Sequence, residues 1–212
     1  MTRYKFYVDK FQAEWIFSPI RSRKDVIILL MKSIKLMITY KEPLKADIVG
    51  EICLVQLKMS RIFFSTQNKV FSINFPFFIN GSTSYLGFYT REFPEIDSRL
   101  TSIIIQLVNS SKLLDSYEVL DFAEAISDAA EIDQNIWVLI RELISHEDGY
   151  LRFDHDPIHE KKEGKIHPLN HYDVFYSTAN TFKLEANITP NLDHLIDVLN
   201  TKSDCYTLSK IT

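Results

Sequence analysis

Two hydrophobic periods coexist in this sequence, and no fold built from one kind of element satisfies both. Between Ser22 and Tyr40, apolar side chains recur at Val26, Leu29, Leu30, Ile34 and Met37, the spacing of a helix with one buried face. From Val70 to Phe75, apolar and polar residues alternate, which is the two-residue period of a half-buried strand. The chain has 212 residues, 46% of them hydrophobic and 13% aromatic, so it can bury a large core around both kinds of element. The expected class is therefore α+β, with helices packed on antiparallel sheet as a single compact unit over residues 1–212. That unit reads as helix-rich over 1–148 and as a polar strand and histidine segment over 149–212.

In chain order, Tyr4 to Phe17 is aromatic-rich and reads as helical or partly extended, and Pro19 ends it. Ser22-Arg23-Lys24-Asp25 is a helix start, and Pro43 closes the segment that follows. Asp47 to Ser65 is ambiguous: Ile48, Ile52, Val55 and Met59 suit a helix, whereas Arg61 to Ser65 suits a strand. Asn80-Gly81 is a turn signal, so Val70–Phe75 and Tyr85–Tyr89 are expected to pair. Pro76 then puts the first arm at an edge or a bulge. Helices are expected from Glu95 to Leu114, from Ser116 to Glu131 and, after an Asp133 cap, from Asn135 to Ser145, with Gly149 as a left-handed C-cap. Strands follow at Tyr150–Asp154, Tyr172–Ser177 and Phe182–Leu184. The charged stretch Pro157–Lys165 reads as a loop, and Thr189-Pro190 opens a last helix with Leu192, Leu195, Ile196 and Leu199 inward.

Residues 1–112 carry 16 Lys+Arg against 9 Asp+Glu, and residues 113–212 carry 8 against 19. The basic half could meet nucleic acid, but two solvated faces that attract one another are the preferred reading. The longest apolar run, Val26 to Met31, is far too short to span a membrane, and the start of the chain lacks the pattern of a secretion signal. Cys53 and Cys205 make no ligand pair and read as free thiols, so the expected location is the cytoplasm. No glycine-rich phosphate loop is present, which argues against a nucleotide-hydrolysing motor.

Chemistry-bearing residues concentrate between Gly149 and Lys183, where four of the six histidines lie. In a strand, residues two apart share a face, so Tyr150, Arg152, Asp154 and Asp156 are expected to line one side. Two carboxylates there could share a divalent cation, Mg or Mn, with a phosphate, and Arg152 could grip that phosphate with its two-pronged fork. His167 or His171 could move a proton or complete the metal sphere. The candidate catalytic set is Asp154, Asp156, His167 and His171; the candidate metal ligands are Asp154, Asp156 and His171; Arg152 is the candidate phosphate anchor. Metal-assisted phosphodiester cleavage would use this pattern. An internal Arg–Asp–His network that fixes two strands would use it equally well.

The order Arg152-Phe153-Asp154-x-Asp156, a spacer, His167-Pro168-x-x-His171, a strand and then Thr189-Pro190 resembles a bacterial family of unknown function. Members of that family are the small partner of a helicase in a two-gene anti-phage defence system. The likeness runs from about Leu151 to Leu199. The family's Gly-Gln before a tyrosine is replaced here by Val174-Phe175-Tyr176, which marks a divergent sequence. The resemblance implies a cytoplasmic subunit that acts with a helicase encoded alongside. That subunit would be a metal-dependent nuclease effector on nucleic acid or a non-catalytic binding or sensor subunit.

Overall fold

A computed structural model describes residues 2–56, 60–82, 85–110, 135–163, 165–177, 180–189 and 191–200, together with 114, 127, 130–131 and 202–203. The expected helix Ser116–Glu131, with its acidic outer face, falls almost entirely outside the described residues. So do the Asp133 cap, Pro190 and Cys205. The aromatic-rich segment takes both expected forms: strand β1 (Thr2–Val8) turns directly into helix α1 (Lys10–Ile16). Asp9 makes that turn: its carboxylate accepts from the Gln12 amide at 2.8 Å, while Gln12 returns a bond to the Asp9 amide at 3.0 Å. Helix α2 (Arg23–Ile38) starts the same way, with Ser22 and Asp25 as the reciprocal pair.

The segment of mixed signal resolves into two strands, β2 (Gly50–Gln56) and β3 (Ser60–Thr66), so the helical option around Ile52 and Val55 is corrected. Its pattern was ambiguous for a physical reason. Ile52, Cys53, Leu54 and Val55 are all buried, because this sheet is covered on both faces and no alternation survives. Strand β4 (Lys69–Asn74) pairs with β3 and does not pair with the Tyr85 arm. A separate two-stranded sheet holds β5 (Phe78–Ser82) and β6 (Tyr85–Tyr89), and Asn80-Gly81 lies within β5, where Gly81 has φ +98°. Helices α3 (Ser98–Ser110) and α4 (Ile136–Ser145) follow. Gly149 has the expected positive φ, +53°, but stands beyond the helix end, in the connection to strand β7 (Leu151–His155).

The expected loop after β7 is a short helix, α5 (Pro157–Glu163). Proline at its first position forfeits only an amide that has no helical partner there anyway. Strands β8 (Asn170–Ser177) and β9 (Asn180–Glu185) come next, and helix α6 (Leu192–Val198) starts from an Asn191 cap that accepts from the His194 amide at 2.7 Å. Seven strands form one antiparallel sheet in the order β1-β2-β3-β4-β7-β8-β9, so both sequence segments share it, and the fold is α+β as expected. No described helix is long and apolar enough to cross a membrane.

One sheet face presents Phe6, Ile52, Leu54, Ile62, Phe64 and Phe71 to the buried stripes of α2, α3 and α4, forming the main core. The other face presents Cys53, Val55, Phe63 and Val70 to Leu192, Leu195 and Ile196 of α6. Burial pushes the Cys53 thiol up to about 11, so it is an unreactive core group.

Candidate metal centre

Cross-strand register builds the site. Lys69 on β4 stands opposite Asp154 on β7, and Asp154 stands opposite His171 on β8. In the neighbouring row, Phe71 stands opposite Arg152, Arg152 opposite Asp173, and Asp173 opposite Lys183 on β9. Directly opposed residues share a sheet face. The polar rows therefore continue the main-core face from Phe71 outward, where apolar packing gives way to charge.

Asp154, His171 and Asp173 are 7%, 1% and 4% exposed. Each offers one ligand atom, and these atoms lie within 4.8 Å of one another, so the group could hold a metal ion. The His171 ring is fixed by its Nδ1, which donates to the Pro168 carbonyl at 2.7 Å. That assignment leaves Nε2 with its lone pair toward the carboxylates, the arrangement in which a backbone carbonyl orients an imidazole ligand. Lys183 Nζ approaches the same Nε2 at 2.9 Å and donates to Asp173 Oδ1 at 2.5 Å. Arg152 pairs with Asp173 through one guanidinium nitrogen and with Asp154 through Nε at 2.9 Å.

The two carboxylates differ electrostatically. Burial would raise Asp173, but the Lys183 hydrogen bond and the Arg152 and Lys183 charges outweigh it and hold its pKa below the usual carboxylate range. For Asp154, burial wins over the nearby Arg152 and Lys69, and its pKa is raised. Its Oδ1 is buried without a hydrogen-bond partner, and the Arg152 Nε contact is an ion pair without hydrogen-bond geometry. Asp154 is also the member of the group that reaches solvent space. It lines a cleft of about 530 Å³ together with Lys10, Asn68, Lys69, His155 and Asp156.

Asp156 does not join this group. It lies one residue past β7 and caps α5, accepting from the His159 amide at 3.1 Å and contacting His159 Nδ1 at 2.7 Å. Those bonds outweigh slight burial and lower its pKa. The His167 ring lies 6.4 Å from His171 and 5.4 Å from His159, centre to centre, and is not part of the buried group. Arg152 is engaged with two carboxylates, so its charge is balanced inside the protein. Asp173 and Lys183 were the omissions of the sequence reading. Asp173 lies two residues after His171 in a strand, hence on the same face, and that signal was available. Lys183 required the β8–β9 register.

Comparison of this chain with protein-family models, with curated proteins and with solved structures gives no match.

Proposed function

We propose that this chain is a metal-dependent phosphodiesterase, the nuclease subunit that acts with a helicase in a bacterial anti-phage defence system. The observation that carries the chemical part is Asp154: it lines a cleft, its buried Oδ1 has no hydrogen-bond partner among the described residues, and it joins His171 and Asp173 in a group that could hold an ion. A buried carboxylate whose desolvation is not repaid is a mark of a functional site. The helicase and defence parts rest on the family resemblance that runs from about Leu151 to Leu199.

Asp154, His171 Nε2 and Asp173 would hold the cation. Imidazole among the donors fits Mn better than Mg, which prefers oxygen. When bound, such an ion supplies Lewis acidity toward a phosphoryl oxygen and an acidified water. Lys10 and Lys69, at the cleft, would draw the phosphate diester in, the part that sequence alone gave to Arg152.

A second reading has its own support. Arg152 and Lys183 already balance Asp154 and Asp173, as in a non-catalytic subunit whose polar rows merely tie β7, β8 and β9 together. A nuclease assay separates the two. The purified chain, alone and with its helicase, is given single- and double-stranded DNA and RNA with Mn²⁺, Mg²⁺ or EDTA. Metal-dependent cleavage that disappears in Asp154→Asn is the expected result. No cleavage in any combination, with stable capture of the helicase, would sink the nuclease reading in favour of the binding subunit.

A further inference from the structure

We propose that Lys183 is a built-in occupant of the cation site, displaced when a metal ion binds, so that this lysine sets the site's metal affinity. The inference rests on the metal-dependent reading above. Lys183 Nζ contacts His171 Nε2 at 2.9 Å and Asp173 Oδ1 at 2.5 Å, and both residues belong to the three-member group that could hold an ion. An ammonium has three donors and one positive charge, so it satisfies those lone pairs much as a cation would. It and a metal ion cannot hold the same lone pairs at once. The third member of the group, Asp154, keeps a buried Oδ1 without a hydrogen bond, so the ammonium does not serve that oxygen.

The position of Lys183 suits displacement. Among the described strands β9 is the last in the sheet, paired to β8. The Lys183 side chain is 24% exposed, so its four-carbon stem can carry the charge outward while the strand stays paired. Its neighbours Phe182 and Leu184 alternate to the opposite face and stand opposite Val174 and Tyr172. Register places Arg152, Asp173 and Glu185 on the same sheet face as Lys183, with Asp154 and Lys69 in the row of His171 and Glu185. Removing Lys183 therefore takes a positive charge from beside Asp173 and frees His171 Nε2.

The test is Mn²⁺ binding to the full chain, followed by the electron paramagnetic resonance of free Mn²⁺, for the unaltered protein, Lys183→Met and Lys183→Gln. Glutamine keeps N–H donors toward His171 and Asp173, so the network geometry is preserved in that variant. Both substitutions are expected to tighten Mn²⁺ binding by about tenfold or more, since a like charge a few ångströms away is removed. A second measurement reads displacement directly. Mn²⁺ should speed acylation of Lys183 by an amine reagent in the unaltered protein and leave the exposed Lys41 unchanged. Equal or weaker Mn²⁺ binding in the variants, with unchanged Lys183 acylation, overturns the inference and leaves the cation site standing. No Mn²⁺ binding in any of the three proteins overturns both.

Discussion

Asp154 and Asp173 sit on adjacent strands in one buried group, yet replacing each by asparagine should have opposite consequences for stability. Asp173 is the counter-ion of Arg152 and Lys183, whose side chains are 22% and 24% exposed. Breaking a fully buried pair costs about 3–5 kcal/mol, and the partial exposure of the two cations brings Asp173→Asn to about 2–3 kcal/mol. Asp154 carries a desolvation cost that its neighbours do not repay, and its Oδ1 is unsatisfied. An unsatisfied buried group costs about 1–3 kcal/mol. Neutralising it recovers part of that and gives up the partly exposed Arg152 contact, so metal-free Asp154→Asn should range from unchanged to about 1 kcal/mol more stable. Urea unfolding with EDTA at pH 7 measures both, with unchanged dependence on denaturant. The signs also separate with pH. The folded pKa of Asp154 is raised, so its ionisation cost is absent below the unfolded value near 3.8 and grows as pH rises through the folded value. The folded pKa of Asp173 is lowered, so its contribution is present above 3.8 and is lost as pH falls through the folded value. Equal losses for the two variants, or a larger loss for Asp154→Asn, would refute the reasoning.

Asp156→Ala should cost about 1 kcal/mol through the lost α5 cap and leave Mn²⁺ affinity unchanged in the same resonance titration. Gly149→Ala should destabilise by roughly 1–3 kcal/mol in urea, because the backbone there has φ +53° and a Cβ would meet the Asn74 side chain at 2.7–2.9 Å. Leu195→Ala, at a fully buried position under the opposite sheet face, should cost about 2–5 kcal/mol and likewise spare Mn²⁺ binding.

Local signals were legible wherever the physics is local. The Ser22–Asp25 box fixed the start of α2, and the period of two put Tyr150, Arg152 and Asp154 on one face. The signals misled where tertiary context decides. Burial on both faces erased the alternation of β2 and β3. Asn80-Gly81 reported a real positive φ at Gly81, but the chain uses it inside a strand. Asp156 matched the spacing of a metal ligand, yet Pro157 starts a helix and makes Asp156 its cap. Of the partners that define the site, Lys69 lies on a strand whose neighbour β7 is distant in sequence, and Lys183 is placed by the register of the local β8–β9 pair.

The ladder between β4 and β7 joins the two parts of the sheet through four register pairs, from Lys69 with Asp154 to Ser72 with Leu151. The strands on either side pair in chain order, β1 to β4 and β7 to β9, with α1 and α2 intervening between β1 and β2. This seam closes the longest loop between paired strands of the sheet, residues 75–150, an entropically costly kind of contact. The polar row crosses it at Lys69 and Asp154. A molecule with both meanders formed but the seam still open has every donor on β7 and β8 and lacks the cleft that leads to them. A competent site thus depends on the pairing that joins the most sequence-distant neighbours in the sheet.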